Sequence, residues 1–111
     1  MATLLYKGVP SNPENGLRVR LGYSAHTLAG TFTVTNQDAQ FLALDPDGAG
    51  RNVVMPSEAA SQGSFFYIKN EAGSTYALTI RNSADDSSVG TIDATKGHYV
   101  VCNGTAWAVI Q

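Results

Sequence analysis

Residues 98–110 read HYVVCNGTAWAVI and carry the clearest structural signal in the chain. Asn103-Gly104 is a preferred central pair for a type I′ turn, because both central positions of that turn need a positive φ. We therefore predict a two-residue loop that pairs Cys102 with Thr105. Trp107 is then expected to anchor the core from the last strand. The residues predicted to share the inner face are Val100, Cys102, Thr105 and Trp107.

The same alternation of apolar and polar residues continues upstream of this hairpin. Further candidate strands lie at residues 17–21, 31–35, 40–44, 51–55, 64–69, 76–81 and 89–92, with 98–102 and 105–110 forming the hairpin. Residues 57–63 are small and polar and could hold one helical turn at most. This pattern predicts an all-β fold: a small antiparallel β-sandwich or β-barrel-like domain of about eight strands.

Residues 1–16 differ from the rest and predict an extended N-terminal arm, with residues 17–111 forming a single β domain. Prolines and glycines between residues 8 and 16 exclude a helix and interrupt any sheet ladder. The arm either packs along its own domain or reaches a neighbouring subunit. Its candidate partner-binding residues are Leu4, Leu5, Tyr6, Val9 and Pro10.

Amino-acid composition and net charge indicate which classes of binding partner to expect. Hydrophobic residues make up 43% of the chain and charged residues 14%, against a usual charged fraction of about 25%. A surface with so little charge is expected to touch other protein. The net charge is -2 and the seven basic residues are scattered, so no nucleic-acid interface is expected. No apolar run is long enough to span a membrane, and no secretory signal is visible.

Two acidic motifs could suggest a metal. An EF-hand pattern starting at Asp45 would need an oxygen ligand at Ala49 and a bidentate acid at Pro56, and both positions fail. A turn explains the Asp-Pro-Asp-Gly segment better. Asp85-Asp86 is most simply a solvated loop. A weakly held cation at a subunit contact is the alternative at either motif. We expect no metal site and no cofactor.

Catalytic pairs are equally hard to assemble. His98 and Cys102 are four residues apart on one strand, which separates their Cα atoms by roughly 13 Å. A nucleophile and its base need hydrogen-bond distance. His26 has no sequence-local acid or nucleophile and is interpreted as a surface histidine, and Cys102 as a buried small hydrophobe. We expect no enzyme, since a hydrolase would need a clustered acid and base.

Three consecutive aromatics, Phe65, Phe66 and Tyr67, are candidate interface residues. Successive strand residues point to opposite faces. Either Phe66 or the pair Phe65 and Tyr67 must therefore face away from the inner side of the sheet, unless both faces are covered. Aromatic residues are enriched at protein interfaces.

From residue 40 to residue 110 the chain resembles a small β module of tailed-bacteriophage virion proteins, which include head decoration (cement) proteins and tail-fibre modules. The segments that carry the resemblance are LALDP (42–46), GRNVVMP (50–56), GSFFYIKN (63–70), LTI (78–80) and YVVCNGTAW (99–107). The resemblance implies a β-sandwich or barrel-like module that self-associates as a homotrimer. It supplies no catalytic residues.

This resemblance implies a phage structural protein that binds the outer capsid surface and clamps neighbouring subunits of the assembled head. Its partners would be copies of itself and the major capsid protein, and its location the virion, after synthesis in the host cytoplasm. The alternative is a tail-fibre or baseplate-associated module that contacts a host surface or another tail protein.

Overall fold

A computed structural model describes residues 20–111 in full and the backbone pairing of three short strands before them. The all-β class predicted from periodicity is confirmed, and residues 57–63 hold a single turn of 3₁₀ helix, Ala59–Ser61. The strands are β1 Leu5–Tyr6, β2 Val9–Asn12, β3 Gly16–Leu17, β4 Tyr23–Thr27, β5 Phe32–Thr33, β6 Phe41–Asp45, β7 Arg51–Val54, β8 Phe65–Asn70, β9 Leu78–Arg81, β10 Ser88–Ile92, β11 Gly97–Cys102 and β12 Trp107–Ile110.

Strands β4 to β12 form two sheets that share one core. The five-stranded sheet has the order β12-β11-β8-β6-β4, and the four-stranded sheet has the order β10-β9-β7-β5. From β4 to β9 the chain passes from one sheet to the other at every strand. Each parallel neighbour is therefore reached through a strand of the opposite sheet, which supplies the crossover that parallel pairing requires.

The pairing is mixed, where a purely antiparallel sandwich was expected. Strands β4, β6 and β8 run parallel, as do β5, β7 and β9. Antiparallel pairing is confined to β8-β11-β12 and to β9-β10 in these two sheets. Periodicity reports which side chains are buried but not the direction of the neighbouring strand, so it could not distinguish the two arrangements.

The core lies between the inner faces of the two sheets. Trp107 contributes to it from the last strand, as predicted, and its ring lies 5.9 Å from that of Phe66. The indole Nε1 donates a hydrogen bond to the carbonyl of Pro56 at 2.8 Å. The remaining buried apolar residues of the cluster are Leu28, Val34, Leu42, Leu44, Val53, Met55, Ile68, Leu78, Ile80, Ile92, Val100 and Cys102.

One fully buried polar side chain, Asn70, ends strand β8 and ties three segments together. Its Nδ2 atom donates to the carbonyls of Tyr76 at 2.9 Å and Ile92 at 3.0 Å, and its Oδ1 accepts from the amide of Ala72 at 2.9 Å. Burial of an amide is tolerated only when its donors and acceptors are paired. Asn70 therefore holds the turn after β8 against the end of β10.

Two arginines close the acidic turns that the sequence singled out. Arg51 donates from Nε to the carbonyl of Pro46 at 2.7 Å, which braces the turn before β7. Arg81 donates to Asp85 Oδ1 at 2.9 Å across the turn between β9 and β10. Asp86 accepts a hydrogen bond from the side chain of Asn82 at 2.7 Å. Both acidic segments are thus turns stabilised by their own neighbours.

The register of the final hairpin differs from the prediction by two residues. Cys102 pairs with Trp107, so the loop contains residues 103–106. Asn103 is not among the residues with positive φ, although Gly104 has a φ of +95°. The Asn103 side chain instead accepts hydrogen bonds from the amides of Thr105 at 2.8 Å and Ala106 at 2.9 Å. Thr105 is exposed, and only the other three residues predicted for the inner face are buried.

The strand predicted at residues 17–21 is not found at residues 20–21, and the next strand begins after Gly22, whose φ is +82°. Strand β4 follows at Tyr23–Thr27. Before it, β1, β2 and β3 pair antiparallel in a separate sheet, in register over two residues per pair. Leu4 and the side chains of Leu5, Tyr6, Val9 and Pro10 lie outside the described residues.

Candidate protein-interaction surface

Among residues 20–111, three of the four exposed large hydrophobic side chains, Tyr23, Tyr99 and Ile110, lie on the outer face of the five-stranded sheet. In strand β8 the burial alternates, with Phe66 and Ile68 in the core and Phe65 and Tyr67 on the outer face. Side chains along a strand point alternately to the two faces of the sheet. The register of the neighbouring strands therefore identifies all the remaining residues of the outer face.

One row of large apolar side chains crosses this face from edge to edge. Strand pairing places five residues side by side, one from each strand. In order across the sheet they are Tyr23, Phe41, Tyr67, Tyr99 and Ile110. Tyr23 is 70% exposed, Tyr99 47% and Ile110 48%. We call this set the aromatic row.

The positions on either side of the aromatic row are also apolar. Phe65 pairs with Val101, and Val101 with Ala108. On the other side Ala25 pairs with Ala43, which pairs with Lys69. The aromatic row and these flanking residues form what we call the aromatic face, and Lys69 is its one charged member.

The rings within the aromatic row pack against one another. The centroids of Phe41 and Tyr67 are 6.1 Å apart with an interplanar angle of 58°, and those of Tyr67 and Tyr99 are 5.0 Å apart at 72°. Phe65 meets Tyr99 at 5.8 Å and 64°. Edge-on aromatic pairs of this kind are favourable. The face is therefore a packed layer held in place before any partner binds.

A shallow depression lies beside the aromatic row. It has a volume of about 220 Å³ and is lined by Tyr23, Phe41, Leu42, Ala43, Tyr67, Lys69 and Glu71. Lys69 Nζ forms an ion pair with Glu71 Oε1 at 2.8 Å at its polar side. The two charges neutralise each other, so the depression presents an apolar floor with a charge-compensated rim.

The outer face of the four-stranded sheet has the opposite character. Its central row pairs Asn52 with Thr79 and Thr79 with Thr91. Val54 and Arg81 form the next pair along. Polar residues on an outward face are the ordinary arrangement for a sheet with one side in water. Only one of the two outer faces is therefore built from aromatic residues.

Comparison with known proteins gives no family for this chain. No family model, no curated protein and no solved structure matches it. The interpretation of the aromatic face therefore depends on its own geometry.

The sequence singled out part of this surface. Phe65 and Tyr67 lie on the aromatic face, whereas Phe66 is 2% exposed and faces Trp107 in the core, so it is not available to a partner of the folded domain. The other members of the aromatic row were missed. Tyr23, Phe41 and Tyr99 are isolated in the sequence, and only the strand register brings them together.

Within residues 20–111, no hydrogen bond joins a histidine to a carboxylate, the pairing that a hydrolase site was expected to need. Ser24 Oγ lies 3.1 Å from His26 Nε2, so a hydroxyl does neighbour His26, contrary to expectation. The other contact of that imidazole is the ring of Phe32 at 4.8 Å, and no carboxylate within residues 20–111 hydrogen-bonds to it. Between residues 20 and 111 no three His, Cys, Asp or Glu side chains converge as metal ligands, and no helix there has the length and apolarity to cross a membrane.

Proposed function

We propose that this chain is a structural protein that assembles with other protein subunits through its aromatic face. The single observation that supports this proposal is the aromatic row, in which each of five adjacent strands contributes a large apolar side chain in register. The largest apolar patch on a typical monomer covers roughly 300–600 Å² and often marks an interaction site.

The size of the face sets the strength of one contact. Five strands by five residues cover about 400 Å², from the usual strand spacing and rise. Burying that area contributes on the order of 10 kcal/mol at 25 cal/mol per Å². Association itself costs about 4–15 kcal/mol. One contact is therefore weak, and stable binding requires many copies that engage a repeating surface together.

The ring geometry favours a protein partner over a flat stacked ligand. Phe41, Tyr67 and Tyr99 meet at angles of 58° and 72°, so their rings do not form a coplanar platform. Such tilted rings present edges and grooves into which aliphatic and aromatic side chains fit. The depression beside Lys69 has room for one large side chain of a partner.

The resemblance to phage virion modules suggests where the repeating surface is. We propose that the chain coats the outer surface of a tailed-phage head, where it binds the major capsid protein and stabilises the shell. The polar outer face of the four-stranded sheet would then point to solvent, and the aromatic face toward the shell or a neighbouring copy. This orientation requires no catalytic chemistry.

The test uses heads of the phage that encodes this chain, purified from a lysate in which its gene is deleted. Wild-type protein and the Tyr99→Glu variant are added separately, and bound copies per head are counted after sedimentation. Wild type is expected to saturate the heads, and Tyr99→Glu to bind at least about tenfold more weakly, because a charge is buried without a partner.

The matched control is Thr79→Glu, which places the same charge at the centre of the polar outer face. It should bind heads as wild type does. Equal binding by Tyr99→Glu and wild type would contradict the aromatic face as the contact. Wild-type protein found on tails and not on heads would contradict the capsid location and support the tail-fibre alternative.

A further inference from the structure

We propose that the free edge of strand β4 pairs with the same edge of a second copy of this chain, antiparallel about a twofold axis at Ala25. The inference deepens the proposed assembly function and rests on it, but it concerns the backbone groups at the edge of the sheet, where Tyr23 and Ala25 also belong to the aromatic face. It names the partner and the register.

The flanking hydrogen bonds show which backbone groups of β4 are free. The amide of Phe41 donates to the carbonyl of Gly22 at 3.2 Å, and the amide of Leu28 donates to the carbonyl of Asp45 at 2.7 Å. In a parallel ladder every second residue directs its backbone amide and carbonyl to the neighbouring strand. Residues 24 and 26 therefore also direct these groups toward β6. Tyr23, Ala25 and Thr27 therefore direct their amides and carbonyls outward.

The other three edges of the two main sheets are shorter or less regular than β4. Strand β5 has only two residues. Strand β10 contains a register shift between Ser88 and Gly90. Strand β12 has four residues, and its inner side packs against β10, since a β-carbon on Gly90 would lie 2.8 Å from Val109 Cγ2. Short strands, bulges and covering elements are the devices by which natural sheets avoid edge pairing.

Within residues 20–111, strand β4 has none of these devices. It pairs with β6 over five residues without a register shift. Its sequence, Tyr-Ser-Ala-His-Thr, contains no lysine, acid or proline. No other described strand pairs with its outer side. An uncharged, regular and unpaired edge of this length is a template for another strand.

A second β4 is the occupant that this edge fits best. With Ala25 opposite its own copy, Tyr23 lies opposite Thr27 of the second copy, and the reverse pair forms on the other side. All three outward-facing residues of each strand are then paired. Aromatic and β-branched residues make favourable cross-strand pairs. The small side chain of Ala25 leaves room for both tyrosines, and no charge opposes a like charge.

This contact uses the same surface on both copies, so it closes after two subunits. It gives a dimer in solution, whereas the resemblance to phage modules implies a threefold assembly. A trimer would need a different contact between its subunits. The number of subunits in the assembly therefore distinguishes the two arrangements.

The test changes Ala25, which is exposed, to Lys and separately to Glu. Each variant then places like charges opposite each other at the twofold axis, which is destabilising. Sedimentation equilibrium up to about 1 mM should show a wild-type dimer, with dissociation constants at least about tenfold higher for Ala25→Lys and for Ala25→Glu. An equimolar mixture of the two variants should dimerise again, since opposite charges now meet.

A wild-type monomer throughout that range, a trimer unaffected by either substitution, or a mixture that fails to dimerise would each overturn the inference. Circular dichroism checks that the variants are folded, and Thr79→Lys is the control for added charge. The Tyr99→Glu variant should dimerise normally, because β11 is three strands from β4. A Tyr99→Glu protein that fails on heads but still dimerises separates the fate of this inference from that of the proposed function, and the Ala25 variants are compared only in their dimerisation, because Ala25 also belongs to the aromatic face.

Discussion

The ring of Tyr67 lies against the backbone of Gly97, so close that a β-carbon on the glycine would stand 2.7 Å from Tyr67 Cζ and overlap the hydroxyl oxygen. Gly97 begins strand β11 and pairs with Lys69, two residues beyond Tyr67 on the neighbouring strand. The glycine thus provides the space in which the central ring of the aromatic row lies flat across two strands.

Gly97→Ala should therefore move the Tyr67 ring and destabilise the domain by about 1–3 kcal/mol, which is the usual cost of overpacking. Urea denaturation measures the change. Gly30→Ala is the control, since a β-carbon there meets nothing within 4 Å. Equal stability of the two variants would mean that the ring is not constrained by the glycine.

Asn70→Ala should be among the most destabilising single substitutions in the domain. It leaves the carbonyls of Tyr76 and Ile92 and the amide of Ala72 without their partner, in a site with no exposed surface. Buried groups left unpaired cost about 1–3 kcal/mol each, and partial relaxation gives an expected loss of roughly 3 kcal/mol. Thermal unfolding of Asn70→Ala can be compared with Asn52→Ala, whose side chain is on an exposed outer face. A loss below about 1 kcal/mol would show that these bonds contribute little.

The loop after β9 should weaken in acid through Glu58. Hydrogen bonds from the side chain and then the backbone amide of Ser83 lower the pKa of the Glu58 carboxyl below its ordinary value of 4.5. A carboxyl whose pKa falls on folding stabilises the native state above the unfolded value. That contribution is lost as the pH falls below 4.5 and through the lower folded pKa.

Ser83→Ala should reduce this pH dependence, because it removes the hydroxyl donor, the larger of the two causes, and keeps the backbone amide. The difference in stability between wild type and Ser83→Ala, measured by urea denaturation, should be present at neutral pH and shrink at a pH of about 3. The effect is small because the carboxyl is exposed to solvent. Ser87→Ala, in the same loop, is the control. A difference that stays constant with pH would rule out ionised Glu58 as its source.

Thr95 has a φ of +70°, in the left-handed region that β-branched residues rarely adopt. Thr95→Asn should stabilise the domain by up to about 1 kcal/mol, since asparagine tolerates this conformation and adds no backbone freedom to the unfolded chain. Thr91→Asn, on regular strand β10, should instead be neutral or destabilising. The midpoint of thermal unfolding reports both changes, and a decrease for Thr95→Asn would contradict this account of the strain.

Most of the strands could be predicted because burial alternates along them. Strand β8 shows this best, since its aromatic run contains both a core residue, Phe66, and two surface residues. Strand β4 was not predicted, because an edge strand with small polar residues shows no alternation of apolar and polar side chains. The hairpin register was mispredicted because the Asn103 side chain bonds to the loop amides in place of a type I′ turn.

The aromatic row could not be read from the sequence for a geometric reason. Its members belong to five strands whose order in the sheet does not follow their order in the chain. An error of one residue in the predicted register of a strand would move its member of the row from the outer face to the core. Single-sequence periodicity therefore identifies candidates such as Tyr67 but cannot place Tyr23 or Tyr99 beside it.

The passage of the chain from sheet to sheet delays folding of this domain until its last hairpin has been synthesised. From β4 to β8 no strand pairs with the strand that precedes or follows it in the chain. Every ladder there must close a long loop, which slows folding relative to local hairpins. The C-terminal hairpin, which contains Trp107, completes the core and covers the open side of β8. A ribosome-bound chain that lacks the hairpin would expose one open edge of β8, to which a chaperone or a neighbouring nascent chain could bind.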